Sequence, residues 1–216
     1  MRTSYVLPLV AAAVLLGSGC ASMYYDTMEK MGVHKRDIMV DRVESARDSQ
    51  KEAKQEFANA LEQFKSVVSI KGGDLEAKYN KLNAALQKSE TRATEVRDRI
   101  DAVESVSEAL FKEWKAELKQ YSNTELRRSS EQQLKDAQTR YQALMAAMKK
   151  AESRIDPVLQ PLRDQVLFLK HNLNAKAIGA LTDEVASIGA KVDDLVRDME
   201  ASIKEADAFI ATLGKE

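Results

Sequence analysis

Residues 75–114 read LEAKYNKLNAALQKSETRATEVRDRIDAVESVSEALFKEW. Within this stretch Leu75, Tyr79, Leu82, Leu86, Ser89, Ala93, Val96, Ile100, Val103, Ser107, Leu110 and Trp114 recur in steps of four and three without a skip. That is a seam period of about 3.5 residues, which keeps one narrow stripe along one side of a long helix. No proline or glycine interrupts the run. A stripe this thin is not stable bare in water, because intrinsic propensity contributes too little, so the helix must cover it with another.

The pattern extends in both directions. Upstream, Val43, Ala46, Gln50, Ala53, Phe57, Ala60, Phe64 and Val67 keep the same spacing. Downstream runs Leu126, Ser130, Leu134, Ala137, Tyr141, Leu144, Met148, Ala151, Ile155, Val158 and Leu162, continuing through Val166 and Leu169. A last run comprises Ile178, Leu181, Val185, Ile188, Val192, Leu195, Met199, Ala206, Phe209 and Leu213. Between the first two runs, Gly72-Gly73-Asp74 offers a helix stop and a fresh N-cap, read as a tight hairpin. Ser122 with Glu125 three residues on has the form of a capping box. Asp156-Pro157 reads as an N-cap followed by proline at the first helical position, so a bend is expected near 157–161.

The expectation is an all-α fold with four long helices over about 37–70, 74–121, 123–171 and 175–213, forming one elongated domain over 37–216. Helices of that length are roughly 60–70 Å long, and short connections make neighbours antiparallel. The products compatible with the pattern are an up-down-up-down bundle, two packed hairpins, or an extended form paired with a second copy of the chain.

Composition agrees with helices and narrows function. Of 216 residues, 44% are hydrophobic, 31% charged and only 6% aromatic, with three prolines and eight glycines. Too few turn formers are present for a sandwich or barrel. Lys and Arg number 33 against 34 Asp and Glu, a net charge of −1 with the signs interspersed, so no attraction to nucleic acid is implied. Gly72-Gly73 lacks the spacing and lysine of a phosphate loop, and neither His34 nor His171 has a ligand at helical spacing, so no cofactor, metal or small-molecule substrate is expected. No set of side chains points to an enzyme. Trp114 occupies a seam position and is expected to be buried.

The first residues concern location. One charge, Arg2, precedes an apolar run from Tyr5 to Leu16 and the small residues Gly17, Ser18 and Gly19, which is the pattern of an export signal over 1–19. The run is too short to span a bilayer, which takes about 20 residues, and Pro8 interrupts it. Cys20 follows at once and is the only cysteine, so an intramolecular disulfide is impossible. Leu15-Leu16-Gly17-Ser18-Gly19-Cys20 resembles a bacterial lipobox, with Gly17 where leucine is usual. The resemblance implies acylation of Cys20, and Ala21-Ser22, in place of an aspartate after the cysteine, implies the periplasmic face of the outer membrane. Several acyl chains would give durable attachment. Residues 20–36 then form a tether, in which Met23, Tyr24, Tyr25 and His34-Lys35-Arg36 either suit a headgroup layer or belong to a frayed segment with no such role.

Val166-Leu167-Phe168-Leu169 is apolar on every side of a helix, and the stretch after it, from Lys170 through His171 to Ile178, is the least heptad-like of the chain. Val166, Leu167, Phe168, Leu169 and His171 are either a helix enclosed near a bundle end, with Asn172 or Asn174 capping the next helix, or a surface that docks a protein partner or membrane. The sequence Asp156-Pro157-Val158-Leu159-Gln160-Pro161-Leu162-Arg163-Asp164-Gln165-Val166-Leu167-Phe168-Leu169-Lys170-His171-Asn172-Leu173-Asn174 resembles an uncharacterised family of Gram-negative lipoproteins, the domain of unknown function DUF2959. This similarity covers nearly all of the mature chain and implies location and helical architecture without an activity. The expected role is a lipid-anchored scaffold or adaptor whose rod projects from the membrane and holds a protein partner or a copy of itself. The alternative is a peripheral membrane-remodelling protein with helices along the bilayer.

Overall fold

Long uninterrupted stretches of Ala, Glu, Lys, Gln, Arg and Leu favour helix at nearly every position, and the apolar stripes decide how those helices pair. The computed structural model describes residues 24–25, 27–29, 31–69, 75–174, 178–179 and 181–213. Every secondary element among them is helical: α1 (Lys35–Val68), α2 (Leu75–Glu117) with a 3₁₀ turn at Leu118–Gln120, α3 (Thr124–Ser153), α4 (Ile155–His171) and α5 (Thr182–Leu213).

Cross-helix bonds fix the directions. Between α1 and α2, Ser89 Oγ donates to Glu56 O at 3.1 Å and Lys78 Nζ to Ser66 O at 3.0 Å, so one index rises as the other falls. Arg97–Asp156 and Lys149–Asp101 set α2 antiparallel to the α3–α4 rod. Lys150 and Arg154 meet Asp198 on α5, while Arg47–Asp207 and Lys54–Glu200 join α5 back to α1. The result is a closed ring of four antiparallel rods, the up-down-up-down bundle.

The seam residues form its core. Val43, Phe57, Phe64, Leu82, Val96, Ile100, Leu144, Met148, Ile155, Leu162, Leu169, Ile188, Leu195 and Met199 are all buried. At roughly 1.5–3 kcal/mol for each large apolar side chain taken out of water, these contacts are the main favourable term. Leu126, counted into the third seam, is instead exposed, because α3 begins only at Thr124 and its first turn stands clear of the neighbouring rods.

Local boundaries differ from expectation in instructive ways. The bend falls at Arg154, not at 157–161, and Asp156 is not an N-cap: Arg154 holds the junction and Asp156 lies in the first turn of α4 with its carboxylate bound by Arg97. A proline ring collides with the carbonyl four residues earlier and leaves it without a donor, so Pro157 acts on Ser153. Pro161 is carried inside α4. At the α2–α3 turn the cap is Asn123, one residue after Ser122; its side chain accepts from Glu125 N at 2.9 Å and Leu126 N at 3.1 Å. Asn172 closes α4 from behind, with its Nδ2 on Phe168 O at 3.0 Å, and so does not start the next helix. The expected Gly72-Gly73-Asp74 turn lies outside the described residues.

Candidate functional sites on the helical bundle

Ahead of α1, the described residues Tyr24, Tyr25 and 27–29 are helical. Gly32, at φ +85°, ends this turn: its N–H bonds to Glu29 O at 2.9 Å and that of Val33 to Met28 O at 3.0 Å. That is the Schellman arrangement, in which a glycine takes the left-handed position, and the flanking apolar residues Met28 and Val33 pack against the core. The spacing of Met28, Gly32 and Val33 carries this signal in the sequence, and the described part of the expected tether is a folded turn.

The turn folds these residues onto α2 as a clasp. Tyr25 is buried and its hydroxyl donates to Ser105 Oγ at 3.2 Å, with the Tyr24 ring edge-on to it at 5.3 Å. Lys35 is 4% exposed and its ammonium lies between Glu29 and Glu113, the latter at 3.0 Å. The Lys35 hydrogen bond holds the Glu29 carboxyl below its ordinary range, whereas burial pushes Glu113 up despite the same lysine. Glu29 is thus the charge that Lys35 stabilises, and Glu113 the one that the site crowds. Lys35 and Tyr25 are therefore structural, contrary to their expected place at a headgroup layer. The clasp thus packs on the bundle through Tyr25 and Lys35. Cys20 and the expected export signal over 1–19 lie outside the described residues.

The 166–171 stretch is divided by its helix. Val166 and Leu169 turn inward and are buried, whereas Leu167 is 61% and Phe168 41% exposed, with His171 and Leu173 exposed beside them. Arg163, about one turn before Leu167 in α4, pairs with Glu90 of α2. The patch therefore sits toward the bundle end where α2 begins, opposite the end that carries the clasp.

A third feature was not legible beforehand. Near the clasp end, the four rods leave a cavity of about 230 Å³ between Met39, Leu110, Phe111, Trp114, Ala137, Phe209 and Leu213, with Arg36, Glu113, Glu117 and Gln133 completing its lining. Trp114 is only half-buried, since it forms part of the wall, and its Nε1 donates to Ser130 Oγ at 2.8 Å. Residues from α1, α2, α3 and α5 meet there across large sequence distances, so no local spacing announces the space. Apolar walls with charged groups among the lining suit a small amphipathic molecule.

Among the described residues, no group of three His, Cys, Asp or Glu side chains is placed to hold a metal, and no helix is long and apolar enough to cross a membrane. No curated protein matches the chain. A family profile described as a protein of unknown function (DUF2959) matches residues 24–213, from the first described residue of the clasp to the last residue of α5. The match thus takes in the clasp, all four rods and the 166–173 patch, and the chain belongs to the DUF2959 family.

Proposed function

We propose that this protein is a periplasmic lipoprotein, anchored through acylated Cys20 to the outer membrane, that serves as a non-catalytic scaffold holding a protein partner or a second copy of itself. The observation that carries the scaffold reading is the bare Leu167–Phe168 pair on α4, whose neighbours Val166 and Leu169 lock the helix into the core. An apolar pair held rigidly in water is a preorganised anchor for a partner, because little side-chain or backbone ordering is left to occur on binding. The anchor reading rests on the lone cysteine after the export-like segment. A remodelling role with helices laid into a bilayer would need the apolar faces that α1 to α5 bury against one another.

The test is a photo-crosslinking residue in place of Phe168 in intact cells. A discrete adduct that disappears with Leu167→Ser supports the docking surface, and the absence of any adduct overturns it. Separately, Cys20→Ser should move the protein from the membrane fraction to the soluble periplasmic fraction; retention in the membrane would overturn the anchor.

A further inference from the structure

The clasp constrains how an anchored bundle can stand. Tyr25 lies against Ser105 and Glu29 shares Lys35 with Glu113, so the segment runs in the same direction as α2 and its beginning points back along the bundle, away from the nearer end. Ser105 precedes the end of α2 at Glu117 by twelve residues, or about 18 Å of helix, and follows its start at Leu75 by about 45 Å. Cys20 precedes Tyr24 by four residues, which even fully extended span at most about 14 Å. With the clasp closed, an acylated Cys20 cannot reach beyond either end of the bundle.

We propose that the bundle lies with its long axis along the membrane surface and meets the phospholipid headgroups through the flank of the clasp, instead of projecting as an upright rod. This rests on the lipid-anchor reading. The flank has the chemistry for it: Tyr24 is 45% and Met31 74% exposed, His34 is exposed as well, and Arg36, at 3.9 Å from the Asp37 carboxylate, keeps 42% of its side chain in solvent and within reach of a headgroup. An aromatic ring, a thioether and basic side chains are suited to the boundary between acyl chains and anionic headgroups. No helix need enter the bilayer, since the acyl chains supply the insertion.

The experiment uses the full-length acylated protein in vesicles of phosphatidylethanolamine with a minor fraction of phosphatidylglycerol. Because Cys20 is the only native cysteine and is blocked when acylated, Met31→Cys, Lys119→Cys and Lys170→Cys each take a fluorophore at one position, with an acceptor dye on the lipid headgroups. Lys119 and Lys170 lie toward opposite ends of the bundle, about 50 Å apart along the axis. Lying flat, the two ends transfer within about twofold of each other, and Met31 transfers most strongly. An upright bundle makes one end at least about tenfold weaker than the other, which overturns the orientation, as does a Met31 signal weaker than both. The mass of the N-terminal peptide separates the two readings: absence of acylation defeats the anchor itself, whereas acylation with unequal ends defeats the flat orientation alone.

Discussion

Arg154, the single residue joining α3 to α4, donates from Nε to Oδ2 of Asp198 on α5 at 3.1 Å, while Lys150 Nζ reaches the other oxygen at 2.8 Å. The interruption that Pro157 imposes on the third rod is thereby tied to the fourth. Asp198 is 3% exposed, and its hydrogen bond from Lys150, reinforced by Arg154, lowers its carboxyl below the ordinary aspartate range in spite of burial.

A carboxylate depressed in the folded state adds stability above the unfolded aspartate value of about 3.9, and that contribution disappears as pH falls through its lower folded value. Asp198→Asn should therefore cost about 1–2 kcal/mol at pH 7, discounted because Lys150 and Arg154 are solvated. The gap to wild type should narrow below about pH 4. Urea midpoints at neutral and acid pH measure both; an undiminished gap at low pH would show that shape, not charge, matters there.

Gln50 occupies a seam position with its side chain wholly enclosed, and neither Oε1 nor Nε2 has a partner. A buried amide without hydrogen bonds costs about 1–3 kcal/mol by mutational measures, and leucine has a similar volume. Gln50→Leu should raise stability by that order. A denaturant titration that finds the variant weaker than wild type would refute the assignment of an unsatisfied amide.

The cap at the α2–α3 turn gives a one-residue test of register. Asn123→Ala should lose about 1 kcal/mol, because two amide donors at the start of α3 lose their acceptor. Ser122→Ala should change little, and equal losses from the two would mean that the cap is shared. Thermal unfolding of both variants distinguishes the cases.

Gly32 permits the left-handed turn that folds the clasp back onto the bundle. Although a β-carbon there meets no other atom within 4 Å, the backbone conformation itself costs a side-chain-bearing residue about 1–2 kcal/mol. Gly32→Ala should therefore speed amide exchange at Tyr25 and Met28 while leaving α3 and α4 protected. Unchanged exchange in the clasp would argue against its dependence on this turn.

Periodicity made the rods and most of their inward faces readable, since spacing by three and four is the same physics in sequence and in space. It failed where an interaction runs between rods or acts at a distance along one. Leu126 fits the stripe and stays wet, because a stripe does not say where its neighbour starts. Pro157 announces a break whose place is set by the carbonyl it displaces. Lys35 looks like a surface cation, and only Glu29 and Glu113, brought beside it by a turn and by a second rod, make it an interior residue. The cavity by Trp114 needs four separate runs to meet, and in the Val166–Leu169 stretch a uniform apolar sequence became two faces, one enclosed and one bare.

Because α5 packs against both α1 and the α3–α4 rod, the last 32 residues of helix complete the ring. A nascent chain can zip α1 onto α2 early, as a local hairpin, yet the inward faces of the first and third rods stay uncovered until α5 emerges. Sealing thus joins the first rod to the fourth, and a chain cut short before Thr182 would carry sticky, half-clad helices instead of a smaller version of the same fold.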